Sequence, residues 1–187
     1  MEADVKKVLD ETGAHMEKAI SHLEAELQKI RAGKASPQML DGIYVDYYGT
    51  NTPLTQVANI NTSDARTIVI QPWEKSMIHP IEKAITNANL GFNPQNDGIV
   101  VRIVVPPLTE ERRKDLVKKT KAEGEHAKVT IRNIRRDTME LFKTFIKKGL
   151  PEDLGKDAET KVQGLTNNYI ARVDKHLEAK EAEIMTV

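Results

Sequence analysis

The chain has 187 residues, 39% of them hydrophobic, 30% charged and only 4% aromatic, and its formal net charge is zero. That length buries one good core or two modest ones, and charge in excess of aromatics suits long, charge-laced helices better than an all-β fold. The absence of cysteine excludes disulfides and thiolate metal sites and points to a reducing compartment.

The first twenty residues, MEADVKKVLDETGAHMEKAI, are acidic and amphipathic with no apolar signal core, and no apolar run approaches membrane-spanning length. A soluble, cytoplasmic protein is expected. The same N-terminal segment carries Val5, Leu9, Thr12, Met16, Ala19, Leu23, Leu27 and Ile30 at steps of three and four, the mark of one helical apolar stripe. It should run to a break at Gly33 and Pro37. Arg31-Ala-Gly-Lys-Ala-Ser-Pro37 is not a phosphate loop, because Ala35 stands where a hydroxyl must hold magnesium and the first glycine is missing.

The middle of the chain has a different texture. Gly42–Gly49, Arg66–Gln71 and Ile99–Val105 read as strands, with a hairpin turn at Asp97-Gly98. A short helix should begin at Ser76, tolerate Pro80 in its first turn and end near Asn89-Leu-Gly91. Trp73, the one tryptophan, reads as core or as a staple at the way into that helix.

After Pro106-Pro107 a second long helix, with Thr109 at its N-cap position, should extend from Glu110 to about Lys148, a rod of roughly 55–60 Å, until Gly149 and Pro151 stop it. A third, from about Lys156 to Glu183, places Val162, Leu165, Tyr169, Val173, Leu177 and Ile184 on one side. Three such helices bury their stripes most readily as a three-helix bundle. The expected fold is therefore α+β: residues 1–30 and 107–187 form the elongated bundle, and residues 31–106 form a small, β-sandwich-like α/β domain inserted between the first two long helices. The two linkers, at Arg31 and Gly33 and at Val104, Val105, Pro106 and Pro107, should lie side by side as a hinge.

The zero net charge conceals a division. Residues 107–150 hold thirteen Lys and Arg against seven Asp and Glu, whereas residues 1–30 hold four against seven and residues 151–187 five against eight. With Arg132 of KVTIRNIRRD as origin and about 100° per residue, Lys114, Lys118, Lys121, Lys128, Arg135, Arg136 and Lys143 all fall within roughly 60° of it. Leu116, Ala127, Ile131, Ile134, Leu141 and Phe145 fall opposite. Two readings fit this stripe: a solvated face paired with neighbouring carboxylates, or a surface for nucleic-acid phosphate. Its single sign and its arginine density favour the second. Val129, on the shoulder of the stripe, is either an apolar contact or an ordinary exposed valine.

His15, His22, His79, His126 and His176 are scattered without metal-ligand spacing, and no nucleophile–base–orienter set assembles locally. Neither a metal, a cofactor nor catalysis is expected. The rival readings are a basic adaptor that binds an acidic protein and an enzyme whose site lies in the small domain's cleft.

The segments RAGKASPQMLDGI, YYGTNTPLTQVANI, IQPWEKSMIHPIEKAI, LGFNPQNDG, PPLTEERRKDLVKKTK, KVTIRNIRRD and KEAEIM occur in order, and from end to end the chain resembles the bacterial ribosome recycling factor family. No inserted or missing segment and no organellar leader is evident, which favours a bacterial source. The resemblance implies an L-shaped, tRNA-like monomer that binds the post-termination ribosome across the A and P sites, on large-subunit ribosomal RNA. With elongation factor G, which hydrolyses GTP, it would split the subunits and release mRNA and tRNA. By position, Arg132 is the arginine the resemblance ties most closely to ribosome binding. Lys128, Arg135 and Arg136 support it, Lys121 and Lys118 extend the stripe, and Arg31 sits near the bundle's tip.

Overall fold

The computed structural model describes residues 1–186, and packing divides them into two units: Met1–Arg31 with Glu111–Thr186, and Ala32–Glu110.

The first unit is helical. Helix α1 spans Glu2–Lys29, α3 spans Glu110–Lys147 and α4 spans Glu152–Thr186. Met16, Ile20 and Leu23 of α1, Ile131 and Phe142 of α3, and Val162, Val173 and Ile184 of α4 are all but sealed from solvent. The buried side of α3 also contains Thr120 and Thr138. Each hydroxyl donates to the carbonyl four residues back, Leu116 and Ile134 respectively, at 2.9 Å. That internal bond satisfies the polar atom and lets threonine enter the core. Leu141, expected to face inward, is 40% exposed, and Phe142 takes its place in the core. Between α1 and α3 the hydroxyls of Thr12 and Thr138 meet at 3.0 Å. Between α1 and α4, Arg172 grips Glu17 with two bonds of 2.6 and 2.9 Å while the Tyr169 hydroxyl donates to the same carboxylate. The Arg172 and then the Tyr169 hydrogen bonds hold that carboxyl below its usual range.

Helix α3 stops where its glycine requires. Gly149 adopts φ +108°, its N–H returns to the Ile146 carbonyl, and Leu150, buried, returns its own to Phe145. Helix α4 then begins at Glu152, earlier than the Lys156 expected, because Glu152 and Asp153 complement its N-terminal dipole and Gly155 leaves room for Ile146. Gly124 performs the same service midway: a Cβ there would enter the Leu177 side chain of α4.

The second unit is α/β. Strands β3 (Ala58–Asp64), β4 (Thr67–Pro72), β6 (Val101–Val104) and β5 (Pro94–Asn96) form an antiparallel sheet in that spatial order. Its register sets Ile68 opposite Ile103 and Ile70 opposite Val101, all buried with Ile81 and Ile85 of helix α2 (Ile78–Asn87). Gly42–Gly49 is not one strand. Tyr48 and Gly49 take positive φ and fold it into a hairpin of β1 (Tyr44–Tyr47) and β2 (Thr50–Pro53). Ser76 does not cap α2; it lies inside a 3-10 turn, Lys75–Met77, with Met77 at the N-cap. Trp73 is 61% exposed, so it is neither core nor staple.

The connecting segments are tied to this unit. Ala35 donates its N–H to Ala65, and Val105 donates to the neighbouring Arg66. Arg66 Nε returns a bond to the Val105 carbonyl. Gly33, at φ +78°, lies where a Cβ would strike Leu108. Two of the expected hinge residues, Val104 and Val105, are therefore held by the sheet, Val104 in β6 and Val105 buried beside it. The chain leaves the unit at Glu110, later than the Pro106–Pro107 break, because Leu108 packs against Gly33.

Candidate nucleic-acid interface

Helix α3 has two kinds of surface because its buried line, Leu116 through Ala127 and Ile131 to Phe142, occupies only one side. Lys114, Lys118, Lys121, Arg132, Arg136 and Lys143 are exposed on the other. They form a cationic ridge along the rod, interrupted at Glu125.

The ridge is not uniform. Arg132 has a half-exposed side chain and reaches Glu125 of its own helix at 3.3 Å; Arg136 is more exposed still and reaches its neighbour Asp137 at 3.3 Å. Both carboxylates are open to water, so these pairs hold the guanidinium groups weakly, by about 1 kcal/mol or less each. Phosphate oxygens can displace them. Lys128 differs: it is only 21% exposed and its ammonium lies 2.7 Å from Asp174 of α4. Arg135 donates to Gln163 of α4 at 2.9 Å, and its Nε is buried without a hydrogen-bond partner among the described residues. These two do not belong to the open ridge, since they fall on the side that α4 covers. Arg31 is exposed at the end of the helical unit, just past α1. Val129 is exposed, at 45%, on the ridge's shoulder.

Sequence reasoning missed how the helices gather the histidines. His15 and His22 of α1 and His126 of α3 line one groove. Seven-residue spacing on α1 was the available signal, but only the pairing of α1 with α3 brings His126 to it. Among the described residues no group of three or more His, Asp or Glu is arranged to hold a metal ion. No helix among them is long and apolar enough to cross a membrane.

Known proteins match this arrangement closely. The family model for ribosome recycling factor matches residues 23–185. The ribosome-recycling factor of Cytophaga hutchinsonii is 58% identical over 184 residues, covering 98% of this chain and 99% of that protein. That of Flavobacterium johnsoniae is 55% identical over the full length of both. A solution structure of a ribosome recycling factor superposes with a TM-score of 0.69 at 38% identity, covering 98% of each chain. A second, with a TM-score of 0.58 at 43% identity, covers 96% of this chain and 98% of the other. It comes from models for the T. thermophilus ribosome recycling factor and the E. coli elongation factor G bound to the E. coli post-termination complex.

Proposed function

The chain belongs to the ribosome recycling factor family, and on that premise we propose that its open α3 ridge docks it on RNA phosphate of the large ribosomal subunit. It binds the post-termination ribosome across the A and P sites. Elongation factor G, with GTP hydrolysed by that factor, then drives the subunits apart so that mRNA and tRNA are released. The observation that carries the RNA contact is the state of Arg132 and Arg136: both face solvent and are held only by exposed, easily displaced carboxylates.

The chain's own part is mechanical. Its residues perform no bond chemistry and need no cofactor, and it works in the cytoplasm as a monomer. Arginine's planar fork suits the bidentate geometry of phosphate, and each phosphate contact releases a condensed counterion. Lys118, Lys121 and Lys143 extend the same line of charge, and Arg31 adds a contact beyond α1. Lys128 and Arg135 serve by fastening α3 to α4, so that the ridge is a rigid rod rather than a flexible basic tail. The chain yields where it passes between its units, near Arg31–Gly33 and Pro106–Pro107, while Val104 and Val105 stay with the sheet.

The test is co-sedimentation of the protein with 70S ribosomes across a salt series, for the wild type and for Arg132→Ala. The variant should bind more weakly, with the slope of log affinity against log salt reduced by about one. Equal affinity and equal slope would overturn the RNA-docking role. A subunit-splitting assay with elongation factor G and GTP then tests whether lost docking is lost recycling.

A further inference from the structure

We infer that the groove between α1 and α3 is a second phosphate-binding site, recruited when its histidines are protonated, which carries the RNA-binding face from α3 onto α1. The inference rests on the RNA-docking reading above.

His15 and His22 stand about two turns apart on α1, and His126 faces them from α3. With Lys18, Glu123 and Thr130 they line an open groove of about 290 Å³, enough for a phosphate group and part of its sugar. All three imidazoles are exposed. On α3, His126 lies about 120° around from Arg132, so the groove and the ridge are neighbouring faces of one rod.

The charges around the groove decide its sign. On α1, Glu11 is engaged by Lys7 at 3.9 Å and Glu26 by Lys29 at 2.8 Å. On α3, Asp137 is engaged by Arg136 and Glu125 by Arg132, each at 3.3 Å. That leaves Lys18 and Glu123 as the charged groups that line the groove itself, and Lys29 also acts on its lysine charge through Glu123. Those two roughly cancel while the imidazoles are neutral. Imidazole is the side chain that gains its charge between about pH 8 and 5. Protonation therefore turns a neutral groove into one with as many as three positive charges, each ring presenting two N–H donors and no acceptor. That donor-only lining suits a phosphodiester. Protonation and phosphate binding must then favour each other reciprocally.

Binding of the intact protein to purified large ribosomal subunits, measured at about pH 8 and about pH 6 across a salt series, tests this. In the wild type the salt slope should steepen by about two to three at the lower pH, and affinity should rise by about tenfold or more. The triple variant His15→Gln, His22→Gln, His126→Gln should lose that pH-dependent increment. Because the subunits titrate too, the deciding quantity is the difference between wild type and variant. In the wild-type protein, ring NMR titrations of the three histidines should move to higher pH when a short single-stranded RNA is added. A triple variant that keeps the whole pH response, or ring titrations that RNA leaves in place, overturns the inference. Arg132→Ala at about pH 8 separates the two readings: undiminished binding there sinks RNA docking itself, whereas lost binding there with an intact pH response in the triple variant sinks the groove alone.

Discussion

Arg135 and Arg136 are consecutive in the chain and opposite in fate. Arg135 turns toward α4, donates to Gln163 and buries its Nε. Arg136 stays exposed with only Asp137 beside it. Lys128 and Arg132, one turn apart, divide the same way: the lysine is fastened to Asp174 of α4 and the arginine left in water. A single cationic stripe thus holds two flanks, one spent on the fold and one available to an outside anion. A side chain's type and its place on the helical wheel do not decide which. The position of the neighbouring helix does.

Breaking the open flank should have the largest effect. Arg132→Ala with Arg136→Ala should weaken ribosome binding by about 50-fold at 0.1 M salt and lower the salt slope by about two. Helicity and melting temperature should not change, and co-sedimentation beside circular dichroism checks both. On the side packed against α4, Gly124→Ala sets a favourable helix propensity against a clash with Leu177. The clash should win, with a net loss of about 1–2 kcal/mol in urea unfolding. Leu177→Ala in the same chain should recover part of that loss, in a double-mutant cycle.

The fastened flank should show the reverse pattern. Lys128→Met with Arg135→Met should lower stability by about 1 kcal/mol or less, since Asp174 is half exposed and can rehydrate. Ribosome binding should fall far less than in the open-flank variant. If it falls as far, the division of the stripe is wrong.

The smallest effect is expected outside α3 altogether, where it serves as a control. The N–H groups of Val100 and Ile99, and then Arg102, hold the Asp97 carboxyl down to about 2. A depressed carboxyl stabilises the β5–β6 turn above its ordinary pKa, and that support is lost as pH falls through about 2. Amide shifts of Ile99 and Val100 should show the transition in the wild type and not in Asp97→Asn, with no change in ribosome binding for either.

Much of the fold was legible because apolar spacing and chain-stopping residues act locally. The stripe from Val5 to Ile30, the stop at Gly149-Leu150-Pro151 and the Asp97-Gly98 turn all appear where the residues place them. The small unit was harder to read. Strand β3, Ala58–Asp64, is mostly polar and exposed, and it is a strand because β4 pairs with it. Tyr48 looks like a strand residue and is a turn residue, because the hairpin needs positive φ there. Thr120 and Thr138 look polar and are core, since each hydroxyl is satisfied within its own helix.

Taken alone, the amino-acid order determined the long helices, the inserted unit, the concentration of positive charge on α3 and the family. Those properties follow from periodicity, backbone-restricting residues and composition, all set by near neighbours in the chain. Which cations stay in water, that Trp73 lies outside the core, and that His126 meets His15 and His22 were decided only by packing. Burial and pairing depend on residues far apart in the chain, and no local spacing encodes where another helix will lie.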